Sequence, residues 1–245
     1  MTEEALVDAL ILDQLAGALG IRVERPVPLS AADLLIESEH FDVDQITLVQ
    51  DGVQPWLTVY PDGRVRPGGV APQALIPGSF NPLHQGHRAL FAAMARRAQG
   101  LAAYELSVTN VDKPPLPVEQ VRRRIGQFAG EAPLVLTRAS TFIAKARLLP
   151  GAAFAVGVDT AERIIAPAYY GGVEAMEAAL TELRRLGHRF YVAGRVIDGR
   201  FTELDALAVP GAFRDLFEAI PATEVRVDVA SSDLRAHGHD VSRPN

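Results

Sequence analysis

The spacing of apolar positions changes near residue 70, and the change divides the chain in two. Over residues 3–19, Ala5, Leu6, Leu10, Leu12, Leu15 and Leu19 form one broad apolar face, which predicts an amphipathic helix stopped by Gly20. Two short strand-like runs follow, "QITLVQDG" and "WLTVYPDGRVRPGG". The second carries its own turn at Pro61, Asp62 and Gly63, so it predicts a hairpin. Residues 66–72, "RPGGVAP", are rich in glycine and proline and read as a boundary. The expectation is therefore an α+β accessory segment over residues 1–70 that stays out of the main sheet.

Beyond the boundary, short apolar runs alternate with helical patterns. "QALIPG", "AYELSVTN", "PLVLTR", "AAFAVG", "RFYVAG" and "EVRVDVA" read as strands. Between them, "HRALFAAMARRAQG", "PVEQVRRRIGQFAG" and "GVEAMEAALTELRRLG" read as helices, the second entered at Pro117 and the third ended by Gly187. A shorter helix within "STFIAKARLLPG" has Ser140 as its expected cap. The strand runs are continuously apolar and not alternating, which is the mark of strands covered on both faces. The pattern predicts an α/β fold over residues 71–245, a doubly wound, Rossmann-like parallel sheet. Such sheets bind ligands outside the carboxyl ends of their strands.

Composition narrows the function classes. The chain has 245 residues, 48% of them hydrophobic and 22% charged, with a net charge of −6. An acidic balance argues against a nucleic-acid partner. The absence of cysteine excludes disulfides, zinc–thiolate sites and cysteine nucleophiles. The first residues carry acids where a secretory signal needs bases. No apolar run reaches the roughly 18 residues of a membrane helix. A soluble cytoplasmic protein is expected. A second subunit is one way to cover the apolar face of the N-terminal hairpin, so a homo-oligomer stays open.

The densest chemistry lies just after the first strand of the α/β part, in "GSFNPLHQGH". Gly78 permits close approach of a ligand to the backbone, and Ser79 and Asn81 carry hydrogen-bonding groups. The helix that follows offers unpaired N–H groups and a positive dipole end. His84 and His87 are three apart and share one face of its first turn. Read alone, they are equally well two solvated histidines. No third histidine or carboxylate stands nearby to complete a metal site.

The decapeptide as a whole resembles the GxFxPxHxGH signature of the nucleotidylyltransferase superfamily, and its GSFNP form resembles the nicotinamide and nicotinate mononucleotide adenylyltransferases. The resemblance implies that His84 and His87 contact the phosphates of a nucleoside triphosphate, and that Gly78, Ser79, Phe80 and Asn81 form the nucleotide-binding loop. "VASSDLR" is similar to the family's later ISSTxIR motif, with Ala230 in place of the first serine. Ser231 and Ser232 would bind phosphate and Arg235 would join the histidines in catalysis. By itself that segment is also a plain serine cap with a surface arginine.

Two further candidates face the same sheet edge. Lys113, in "TNVDKPPL", is a mobile point charge suited to phosphate or an ordinary surface lysine. Gly157 and Asp159, in "VGVDTAERI", resemble a GxD segment that contacts ribose or substrate, while Asp159 reads equally as a helix cap. The arginines of "VRRRIG" read as mostly solvated.

The resemblance implies adenylyl transfer from ATP to a phosphate monoester, nicotinamide or nicotinate mononucleotide foremost, as in NAD biosynthesis. Mg²⁺ would accompany the triphosphate with few protein ligands. Positive surroundings from His84, His87, Arg235 and Lys113 would then stabilise the developing charge. A cytidylyltransferase, another phosphate acceptor, and a non-catalytic nucleotide-binding module are the alternatives.

Overall fold

The helices and strands of the chain wrap one sheet from both sides. The structure, a computed structural model, describes residues 43–109, 114–197 and 199–226. The helix expected over residues 3–19 lies outside the described residues.

The elements run in chain order as α1 (Val43–Gln50), β1 (Trp56–Val59), β2 (Val65–Pro67), β3 (Ala74–Pro77), α2 (Gln85–Arg97), β4 (Ala102–Ser107), α3 (Val118–Gly126) and β5 (Leu134–Thr137). They continue as α4 (Phe142–Leu148), β6 (Ala153–Gly157), α5 (Val158–Ile164), α6 (Val173–Arg185), β7 (Phe190–Ala193), β8 (Arg195–Ile197), β9 (Arg200–Thr202) and β10 (Phe217–Ile220). An eight-stranded sheet has the order β10-β7-β6-β3-β4-β5-β1-β2, and β8 and β9 form a separate antiparallel ribbon. From β10 to β5 every neighbouring pair is parallel. This is an α/β protein with a mostly parallel central sheet, compatible with a Rossmann-like fold.

Alternate strand residues feed two cores, one on each face. Ala74, Ile76, Tyr104 and Leu106 join Ile46, Leu90, Met94 and Val121 from α1, α2 and α3. Leu75, Ala103, Val135 and Phe154 join Ala146, Ala161, Ile164, Met176 and Leu180 from α4, α5 and α6. This explains the unbroken apolar runs, since a strand with helices on both sides has no solvent face to make polar.

The strand order reverses between β3 and β6. After β3 the chain steps outward through β4 and β5; from β6 it steps the other way through β7 and β10. Only Ala74 with Ala153 and Leu75 with Phe154 pair across that junction. Toward their carboxyl ends, the two strands have no further partners in each other. A crevice opens there, the place where open α/β sheets bind ligands.

Four expectations need correction. "QITLVQ" is helical, because Ile46 and Val49, spaced by three, are the buried positions. The hairpin of β1 and β2 does form, but β1 pairs antiparallel with β5 from Trp56–Thr137 to Val59–Leu134. Residues 56–67 thus extend the main sheet instead of standing apart from it. A hairpin needs its outer edge covered no less than its face, and β5 presents a free ladder that meets this need. The cap of α4 is Thr141 and not Ser140, its hydroxyl accepting from the Ala144 N–H at 3.2 Å. Among the described residues the last strand of the sheet is "FEAI" of β10, which was not expected; Glu224, Val225 and Arg226 are not in a strand, and the rest of "EVRVDVA" lies outside the described residues.

Candidate functional site

The loop after β3 is shaped by its own aromatic residue. Phe80 turns its ring fully into the core, edge-on to His87, Tyr104 and Phe128. Its backbone takes φ +46, a left-handed conformation that costs a non-glycine residue about 1 kcal/mol or more. Burial of the ring offsets that cost. A Cβ on Gly78 would lie 2.7 Å from the Phe80 ring, so glycine is required there. Phe80 is buried whole, main chain included, so it supports the loop from the core and does not line the nucleotide-binding surface expected of it. Asn81 is buried as well, and Ser79 is exposed.

Helix α3 clamps this loop from the side. Arg124 donates to the Ser79 carbonyl at 3.0 Å. Gln127 donates to the Phe80 carbonyl at 2.8 Å and accepts the Leu83 N–H at 2.7 Å. The arginines of "VRRRIG" are expected to be mostly solvated; Arg124 is buried. Its partner is a backbone carbonyl, which leaves no side-chain signal in the sequence.

His84 caps α2 and His87 stands in its first turn, with the rings stacked at 3.8 Å. The His84 N–H reaches His87 Nδ1 at 3.3 Å. For that nitrogen to accept, His87 must carry its proton on Nε2. Burial, then the neighbouring His84 and Arg88, push the His87 pKa down to about 3. Burial first, and then Arg195 and Arg88, also hold His84 below the usual range. Both imidazoles are therefore held toward the uncharged form, each with one N–H, where positive charge was expected.

Across the crevice, β6 ends at Gly157, the cap residue of α5, and Asp159 sits in that helix's first turn. The cap reading of Asp159 is thereby replaced. Its carboxylate is 3.0 Å from the Arg195 guanidinium, both side chains being partly exposed. A Cβ on Gly157 would come within 2.6 Å of an Asp159 oxygen, so a bare backbone lets the carboxylate fold over the strand end. The fold brings Gly78, His84, His87, Gly157, Asp159 and Arg195 to one strand-order reversal. Lys113, Ser231, Ser232 and Arg235 lie outside the described residues.

A cavity of about 660 Å³ opens beside this crevice at the ends of β3, β4 and β5. Gly78, Ser79 and Arg124 form one wall, and Leu106, Pro114, Pro115 and Leu116 form apolar surface. At its base Lys145 donates to both Glu105 oxygens at 2.8 and 2.7 Å and to the Ala139 carbonyl at 2.7 Å. Thr137 donates a further hydrogen bond to Glu105 at 2.6 Å. Sequence reasoning passed over this pair. The available signal was a lone carboxylate inside an apolar strand, which must find a partner when the strand is buried.

Among the described residues no group of three or more His, Asp or Glu could hold a metal ion. No helix among them is long and apolar enough to cross a membrane. Comparison of the chain with protein-family models and with curated proteins finds no match.

Proposed function

We propose that this chain is a nucleotidylyltransferase of the superfamily its two motifs resemble, transferring a nucleotidyl group from ATP to a phosphate monoester. Nicotinamide or nicotinate mononucleotide is the leading acceptor. One observation carries the reading: the histidine-bearing loop after β3 and the Gly157–Asp159 segment after β6 meet where the strand order reverses.

The chemistry needs little from the protein beyond positioning and charge stabilisation. A phosphate monoester has a second pKa near ~6, so at neutral pH it is already an anionic nucleophile. Its oxygen attacks the α-phosphorus in line, the bond to the β-phosphate oxygen breaks, and pyrophosphate leaves with the electron pair. No general base is required. In this reading the N–H groups at the start of α2 and the neutral imidazoles donate to the phosphate oxygens as charge builds up on them. The adjoining cavity falls within the ~300–1,000 Å³ common for small-molecule sites and supports the placement of an acceptor beside the transfer centre.

Mg²⁺ bound to the triphosphate would neutralise phosphate charge. Mg²⁺ keeps most of its waters and asks for few protein ligands, which fits a site where no metal-holding group of three or more His, Asp or Glu stands among the described residues. The test is pyrophosphate release from the purified chain with ATP and a panel of phosphate monoesters. Release that depends on one acceptor supports the reading. Release with CTP alone makes it a cytidylyltransferase. Nucleotide binding without release under any condition makes it a binding module.

A further inference from the structure

We propose that Arg195 grips the phosphate chain of the nucleotide and stabilises the departing pyrophosphate, with Asp159 as the partner that holds its guanidinium in place when no nucleotide is bound. This rests on the nucleotidyl-transfer reading. Arg195 was not among the residues that the motifs select.

Its place in the fold carries the argument. In the sheet, Ala193 of β7 pairs with Gly157 of β6, so Arg195 lies two residues beyond the neighbour of the crevice's own strand end. The Arg195 side chain passes within 3.8 Å of where a Gly157 Cβ would stand, directly over that bare backbone. From there its charge also acts on His84, on the opposite side of the crevice. The guanidinium therefore stands over the end of β6, near enough for its charge to reach the loop after β3.

The guanidinium has capacity left for a ligand. It meets one side-chain partner, Asp159, and its Nε is buried with no hydrogen-bond partner among the described residues. A guanidinium has five N–H donors in a planar fork suited to phosphate oxygens. Arg88, also near the histidines, is already bound through Nε and a terminal nitrogen to Glu131 at 3.1 and 2.9 Å. Neutral histidines donate hydrogen bonds but add no net charge, whereas a leaving pyrophosphate gains negative charge as the bond breaks. Arg195 supplies a full charge on the β6 side of the crevice. During transfer no proton moves through it; its N–H groups donate to the oxygens that receive the electron pair.

The test uses the full chain with Arg195→Gln, Arg195→Lys and Asp159→Asn. Binding of inorganic pyrophosphate is measured by calorimetry and nucleotidyl transfer by pyrophosphate release. Arg195→Gln should weaken pyrophosphate binding at least tenfold and slow transfer by about 100–1,000-fold. Arg195→Lys should recover part of both. Asp159→Asn should leave pyrophosphate binding equal or tighter, because it frees the guanidinium. If Arg195→Gln binds pyrophosphate as the native chain does, or if Asp159→Asn loses the same affinity, the residue is only half of a structural ion pair and the inference falls. Should Arg195→Gln not fold, the Arg195→Lys and Asp159→Asn measurements decide the question by the same criteria. A native chain that binds pyrophosphate through Arg195 but transfers nothing with any acceptor would refute the activity and leave the anion site standing.

Discussion

Two ion pairs stand at the carboxyl edge of the same sheet, and they differ in almost every physical respect. Lys145 and Glu105 are buried, and all three ammonium protons have acceptors. Arg195 and Asp159 are partly exposed and make a single contact between them. A buried charge that loses its partner pays a large desolvation penalty, so the first pair is locked. A partly exposed pair loses little when water or a ligand replaces one member, so the second can exchange partners. One region holds the cavity's shape, and the other can respond to what enters the crevice.

The largest test of that contrast is Lys145→Met. It should destabilise the protein by about 3–5 kcal/mol, because Glu105 is left buried and unpaired. The double change Glu105→Leu with Lys145→Met should recover part of the loss in a urea titration. A loss from Lys145→Met alone no bigger than an exposed pair's would erase the difference between the two regions.

His87→Ala probes the responsive side. Turnover should fall by about 100–1,000-fold, the usual cost of removing one charge-stabilising donor. Thermal melting should be followed in parallel, since the ring also packs on Phe80. Near-native turnover would remove His87 from the transfer site.

A smaller effect should appear in the pH dependence of stability. Native His87 resists protonation down to about 3, while the unfolded chain takes up that proton near 6.5. Between those values the unfolded state binds more protons, so stability falls as the pH drops below about 6.5. The slope from this group is at most about 1.4 kcal/mol per pH unit. His84 acts in the same direction. Urea unfolding at pH 7 and pH 5 should show the decline, and His87→Asn should flatten it. An unchanged slope in the variant would mean that His87 is not held neutral by the fold.

The smallest effect concerns the helix that carries Lys145. Thr141→Ala removes the cap of α4 and should cost about 1 kcal/mol, measured by denaturant unfolding. That is well below the Lys145→Met loss. If the two losses are equal, the buried pair contributes through the helix's placement and not through its own charge.

Much of this was legible in the chain. The period of the apolar runs marked β3 to β7 and α2, α3, α4 and α6, and the glycine-rich loop after the first parallel strand marked the histidine helix. Each of these is a property of neighbours within a dozen residues. The helix over "QITLVQ" was not legible, because Ile46 with Leu48 suits a strand while Ile46 with Val49 suits a helix, and only packing shows which pair is buried. The ribbon of β8 and β9 and the strand β10 are only three or four residues long, too short for a period to stand out.

The local sequence by itself determined the alternation of strands and helices and the presence of two histidines on one helical turn. Only the tertiary structure decided the order of strands, and with it which charges share an environment. Glu105 and Lys145 are 40 residues apart, and Arg124 is 45 residues from the Ser79 carbonyl it holds. Arg195 meets Asp159 because β6 and β7 lie side by side with Gly157 opposite Ala193. A periodic pattern shows which face of an element seeks burial. The energy of a buried or half-buried charge depends on what stands opposite it, and strand order supplies that partner.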